Sequence, residues 1–442
     1  MKKLLVLAFI TIGTALNVYA ESSISQQKTV LTVDDAVSLA LENNLSIKQS
    51  KLSLNLLEKK AKTSWKTVSP SLSASGGLSD SLPVNEGMDQ TISYSVGASA
   101  SIRVTPAVIG TIKSAKLAYE TGVISYDSAV RSVEMSVRQA FYSLLNMESS
   151  IISNRETLEA AKRTFDSNTE KYERGRLDQL TLLNSQYNYE SKIPTIESSI
   201  NSYQNSMDSF KQILGINLTD EIELKGSLDD AINLKLSDGE LKYDLESIPS
   251  IINIKQNIKS AETQLASSRL SSYGPSFSAS YSYSGGGGIE PSSDFSTRGS
   301  SISLSVSLPL DSFFPWSSAS VTIDSQKNSL ENLKLQLENA RVTAMINIKN
   351  SYNSILMAQT QLGVYEANYE LMKRTYEMTL IAYNNGSKDL STLQTAEDNL
   401  SKARFSLQSQ KYTIFNAILN LENTLGIPFG TLNQVMTTKD AE

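Results

Sequence analysis

Apolar residues recur from Val130 at Val133, Val137, Ala140, Leu144, Met147 and Ile151, in alternating strides of three and four. Such spacing predicts a long helix with a heptad seam. A second seam runs Ala344, Ile348, Ile355, Ala358, Leu362, Tyr365, Tyr369, Met372, Tyr376, Tyr383. Returning helices follow, through Ile196, Ile200, Tyr203, Met207, Phe210 and Leu214, and through Leu407, Ile414, Ile418, Leu421 and Leu425, where Lys411 interrupts the seam once. Pro194 marks either a kink or a break in the first of these. Ahead of each long helix the period changes to two. Residues 91–104 alternate Ile92, Tyr94, Val96, Ala98, Ala100, Ile102, Val104 with Ser, Thr, Gly and finally Arg103, and residues 301–310 do likewise. Weaker strands at 71–79 and 276–284 precede them, so two β-hairpins are predicted. The connecting loops are 80–90 and 285–299, the second including the run Gly285–Gly288.

Residues 172–216 and 383–427 are the same segment written twice, 211 positions apart without a gap. Tyr172, Gly175, Asp178 and Leu182 in one copy meet Tyr383, Gly386, Asp389 and Leu393 in the other, and Leu214-Gly215-Ile216 meets Leu425-Gly426-Ile427. A repeat of this kind is one supersecondary unit used twice. The chain therefore divides into a first repeat, 21–216, with a β-hairpin at 71–104 and a helical hairpin at 106–215. A linker follows at 217–246. The second repeat, 247–427, holds a β-hairpin at 276–310 and a helical hairpin at 315–426, and a polar tail covers 428–442.

Residues 1–20 have the form of an export signal: Lys2 and Lys3, an apolar stretch from Leu4, and a small-x-small site at Val18-Tyr19-Ala20. No later stretch reaches the 18 or so apolar residues of a membrane-spanning helix. Removing Lys2 and Lys3 leaves 38 basic against 46 acidic residues, which argues against a nucleic-acid partner. The chain has neither Cys nor His. Disulfide staples, nucleophile–histidine pairs and nearly every zinc site are thereby excluded. The carboxylates form no clustered pair, so neither an enzyme nor a cofactor is expected.

Strands with one apolar and one small polar face suit either an exposed sheet on a buried core or a membrane barrel. Four strands cannot close a barrel, and an open edge in lipid costs several kcal/mol per unpaired backbone group. In the second case the strands must be shared among chains. Arg103, at the end of the polar face, fits a barrel mouth, an interface or an ion pair equally well.

The order of elements, their duplication, Tyr-x-x-Gly-x-x-Asp-x-x-x-Leu at each hairpin turn and Leu-Gly-Ile near each end resemble the TolC family of bacterial outer-membrane efflux proteins, the outer-membrane factors. The resemblance covers about 30–427. It implies a mainly α fold with membrane β: long coiled-coil hairpins forming a periplasmic α-barrel, plus four strands per chain in a shared trimeric 12-stranded barrel. It also implies a homotrimer in the outer-membrane lipid, serving as exit duct for a periplasmic adaptor and an inner-membrane pump. In that family a Tyr and an Arg of the second hairpin meet an Asp of the first to close the tunnel. Tyr383 occupies the Tyr position, Lys388 that of the Arg and Thr181 that of the Asp, with Asp178 one helical turn earlier. The resemblance also marks the turns as the adaptor-docking end: Arg174, Gly175 and Arg176 on one, Gly386, Lys388 and Asp389 on the other. Against this stand two plainer readings. Tyr172 and Tyr383 pack the turns while the glycines supply positive φ, or the chain is an exported coiled-coil structural or adhesive protein that never enters a membrane.

Overall fold

The computed structural model describes residues 29–81, 91–232, 243–288 and 297–432. The export signal lies outside the described residues, as do 82–90, 289–296, 233–242 and 433–442 of the loops, linker and tail.

The seams become helical hairpins. Helix α3 (Val108–Glu173) has 66 residues and α7 (Ser318–Asn384) has 67. At 1.5 Å per residue each is about 100 Å long. Their returning partners α4 (Gln179–Leu214) and α8 (Leu390–Leu425) have 36 residues each. Helix α4 runs through Pro194 unbroken. Packing along α3 holds it together where the proline removes one helical hydrogen bond. Val137, Leu144 and Ile151 on the first seam and Ile348 and Ile355 on the second are buried. Lys411, which breaks the last seam, reaches out to Asp229 at 2.5 Å in the short helix α5 (Leu228–Ile232).

The upper halves of the long helices are wrapped by shorter ones: α1 (Val33–Asn43) and α2 (Leu45–Lys62) in the first repeat, α6 (Pro249–Tyr273) in the second. A parallel ribbon of β1 (Thr29–Leu31) and β4 (Ile222–Leu224) closes the middle. The largest core lies there, with Phe141 against Phe210 and with Tyr142 4.3 Å from Phe415, joining the two hairpins. Arg131 of α3 adds bonds to Asn423 Oδ1 and to the carbonyls of Glu422 and Ile427, at 3.0, 2.6 and 2.6 Å.

Strands β2 (Ser71–Ser81), β3 (Thr91–Val104), β5 (Ser276–Gly288) and β6 (Thr297–Ser307) form one antiparallel sheet in the order β2-β3-β5-β6. The two hairpins thus pair through β3 and β5, leaving β2 and β6 as edges. One face is a ladder of serines, with hydroxyls 2.7 Å apart at Ser71–Ser101 and Ser73–Ser99 and 2.6 Å apart at Ser278–Ser305. The other carries Leu72, Val96, Ile302, Leu304 and Val306, all exposed. No described helix is long and apolar enough to cross a membrane.

One expectation fails here. Gly285–Gly288 belong to β5, opposite Val96, Ser95, Tyr94 and Ser93 of β3. Cross-strand pairing overrides the low strand propensity of glycine. At Gly286 it demands glycine, because a Cβ would stand 2.5 Å from the Tyr94 carbonyl oxygen. Arg103 is exposed at the helix-proximal rim opposite Ser278, and no ion pair to it exists among the described residues.

Candidate functional site

The two hairpin turns are built alike. Helix α3 ends in a Schellman motif, in which the Gly175 N–H donates to Tyr172 O and the Arg176 N–H to Lys171 O, both at 2.8 Å. The second turn repeats it, Gly386 to Tyr383 at 2.9 Å and Ser387 to Ala382 at 2.8 Å. Gly175 and Gly386 have φ of 70° and 73°, a region glycine enters without steric cost.

Each returning helix opens on an aspartate N-cap. Asp178 accepts from the Thr181 N–H at 2.8 Å and from its hydroxyl at 2.7 Å. Asp389 accepts from both groups of Thr392, at 2.9 Å from the N–H. These bonds hold both carboxyls below the usual carboxylate range, the threonine hydroxyl contributing most. Asp178 and Thr181, singled out separately as gate residues, are therefore partners in one cap.

Tyr383 is buried against Leu390 and Leu393. Its hydroxyl donates to Asn168 Oδ1 at 2.6 Å, across from α7 to α3. Burial pushes the phenol pKa up. The Lys171 ammonium lies 5.1 Å from the Tyr383 ring centroid, within cation–π range. Asn168 is fully buried, and its Nδ2 has no hydrogen-bond partner among the described residues. Tyr172, the repeat-mate of Tyr383, is 40% exposed. The packing role expected of both tyrosines thus falls to Tyr383 alone.

Arg174, Arg176, Lys388 and Asp389 are exposed, and Arg174 pairs with Glu170 on its own helix. No hydrogen bond or ion pair joins Tyr383, Lys388 and Asp178 among the described residues. The residue missed from sequence is Asn168. It continues the first seam past Ala161, seven positions earlier, so an amide on an otherwise apolar seam was the available signal. Glu397 on α8 is a second such residue, buried on the seam after Leu390 and Leu393. The described residues hold no group of three His, Cys, Asp or Glu able to bind a metal ion.

The outer membrane efflux protein family model matches residues 36–216 and 244–427, one block for each repeat. No curated protein matches the sequence. Among solved structures, the Campylobacter jejuni CmeC outer membrane channel is similar, with 20% identity over 89% of this chain and 85% of that one and a TM-score of 0.71. The open state of the Neisseria gonorrhoeae MtrE outer membrane channel gives 18% identity, 89% coverage of each chain and a TM-score of 0.69. The Vibrio cholerae outer membrane protein VceC gives 14% identity, 90% and 96% coverage and a TM-score of 0.67. These likenesses establish a common fold, and the family match over most of both repeats establishes membership: the chain belongs to the outer membrane efflux protein family.

Proposed function

We propose that this chain is the outer-membrane exit duct of a tripartite efflux or type I secretion system, passing drugs or exported proteins from an inner-membrane pump and periplasmic adaptor to the exterior. The observation that carries this reading is the sheet. One face is hydroxyl, the other is apolar and exposed among the described residues, and each hairpin is followed within about ten residues by a helix of about 100 Å.

A homotrimer completes what one chain leaves open. Strands β2 and β6 need partners in lipid. Three sheets of four give a barrel of twelve strands. Met357, Val364, Leu371 and Met378 on α7 stand seven residues apart and are 64%, 66%, 58% and 72% exposed, a heptad stripe that no helix among the described residues covers. Leu180, Leu183 and Tyr187 make a second exposed stripe on α4. Neighbouring copies of the chain are the natural cover for both.

The aperture lies at the turns. Tyr383, bonded to Asn168, holds the two hairpins of one chain together, while Lys388, beside Asp178 and Thr181 of a neighbouring copy, closes the ring. Each exposed ion pair contributes only about 0–1 kcal/mol, so the closure opens readily. The adaptor docks on the same turns, through Arg174, Gly175 and Arg176 and through Gly386, Lys388 and Asp389.

Heat-modifiable, SDS-resistant trimers in the outer-membrane fraction are expected. Soluble release from the periplasm overturns the duct. In planar bilayers Lys388→Glu and Asp178→Lys should raise the closed-state conductance, and wild-type values in both remove these residues from the gate. A photocrosslinker at position 176 should capture a co-expressed adaptor; repeated absence of adduct removes the docking assignment.

A further inference from the structure

Glu397 is the most confined charge near the hairpin tips. It lies on α8 two turns beyond the N-cap and is 8% exposed, and its Oε1 has no hydrogen-bond partner among the described residues. It borders a cleft of about 320 Å³ between the two hairpins, walled by Ser153, Glu156 and Arg163 of α3, Tyr376 of α7 and Arg404 of α8. The cations in reach are engaged elsewhere. Arg404 donates to Glu156 at 2.5 Å and to Ser153 at 3.1 Å. Arg163 pairs with Glu159 at 3.5 Å, and Lys192 of α4 stands 3.9 Å from Asp398. Asn188 of α4 supplies a hydrogen bond to the carboxylate, and Tyr376 is a half-buried neutral phenol. The equivalent position in the first repeat is Gln186, which bonds Glu190 of its own helix at 2.8 Å and carries no charge.

A buried carboxylate oxygen without a donor is tolerated when protonated and costly when charged. We propose that Glu397 is a proton-operated wedge between the two helical hairpins, letting α8 pack on α3 when neutral and driving them apart, towards water, when charged. Burial, the largest influence on this group, raises its pKa, with Asp398 adding to the shift and Lys192 opposing it. The packed arrangement therefore holds its proton at pH values where the parted one has lost it. Packing is favoured below the ordinary carboxylate pKa and is lost as pH rises through the raised value. The proposal deepens the duct reading by giving its aperture a regulator, yet the wedge itself needs only the two hairpins.

Since the chain has no native cysteine, spin labels at Glu173→Cys and Ser387→Cys report the separation of the two tips without background. In the full-length protein in nanodiscs, diluted with unlabelled chains, the distance distribution should move to longer values between pH 5 and pH 8. Glu397→Gln and Glu397→Leu should both hold the short distance at either pH. A pH-independent distribution in the wild type, or the same shift in Glu397→Gln, overturns the wedge. Conductance in planar bilayers separates the two readings. A pH-dependent distance in a protein that never conducts removes the duct and keeps the wedge, whereas normal conductance with fixed tips does the reverse.

Discussion

The Tyr383 hydroxyl donates to Asn168 Oδ1 at 2.6 Å, so the last turn of α7 is tied to the last turns of α3 by one buried bond. Replacing Tyr383 by Phe keeps the ring among Leu390 and Leu393 but leaves the whole Asn168 amide unpaired. An orphaned buried acceptor costs about 1–3 kcal/mol. Tyr383→Phe should therefore lower the melting temperature slightly and raise the closed-state conductance. Tyr172→Phe, at the exposed repeat-mate, should do neither.

The glycines separate backbone strain from steric exclusion. At Gly386 a Cβ meets nothing within 4 Å, so Gly386→Ala suffers only the left-handed backbone, about 1–2 kcal/mol. At Gly215, also at positive φ, the Cβ would stand 2.6 Å from the Asn43 carbonyl oxygen. Gly215→Ala should accordingly be the more destabilising substitution, read as the larger loss of folded protein in thermal or denaturant melts. Equal effects would show that the packing of α1 against the end of α4 yields.

Both repeats, the helical hairpins and the alternating strands were legible because period and spacing are local properties of a sequence. What was not legible depends on partners brought from afar. Gly285–Gly288 read as a loop, since nothing in the run announces that Ser93–Val96 will pair with it. Charge and alignment single out Asp178 and Thr181, whereas the bonds between them are those of a helix cap. Asn168 is silent in the sequence, because a single amide on a long seam gains meaning only when Tyr383, 215 residues later, is placed against it.

The exposed stripe on α7 makes assembly testable apart from folding. Leu371 is 58% exposed, so Leu371→Asp removes little from the core of one chain. It places a charge on the seam that the proposed trimer would bury. The expected result is loss of SDS-resistant trimers with unchanged helix content by circular dichroism. Intact trimers would move the interface to another face of α7.

The caps at the turns respond to acid in the sense opposite to Glu397. Asp178 and Asp389 are held below the ordinary carboxylate range by Thr181 and Thr392. Their contribution is complete above the unfolded pKa and is lost as pH falls through the lowered value. Acid should therefore fray the starts of α4 and α8, seen as faster pepsin cleavage around residues 174–181 and 385–392. Asp178→Asn and Asp389→Asn, which cap without a titrating group, should flatten that dependence.

The sheet assigns opposite fates to two consecutive residues of β6. Leu304 is 81% exposed on the apolar face, while Ser303 stands on the serine face opposite Ser280. If the apolar face meets lipid, an arginine at Leu304 costs up to about 2–4 kcal/mol per chain, the figure for the bilayer midplane. Leu304→Arg should then deplete the outer-membrane, heat-modifiable form. Ser303→Arg should assemble normally, because its charge enters water, and should shift the reversal potential in a salt gradient towards anions. The added cation joins Arg103, which stands on the same face opposite Ser278, so the positive field of that face is strengthened rather than created. Were Ser303→Arg to block assembly while Leu304→Arg was tolerated, the sheet would have to be turned inside out, and the duct would lose its hydroxyl lining.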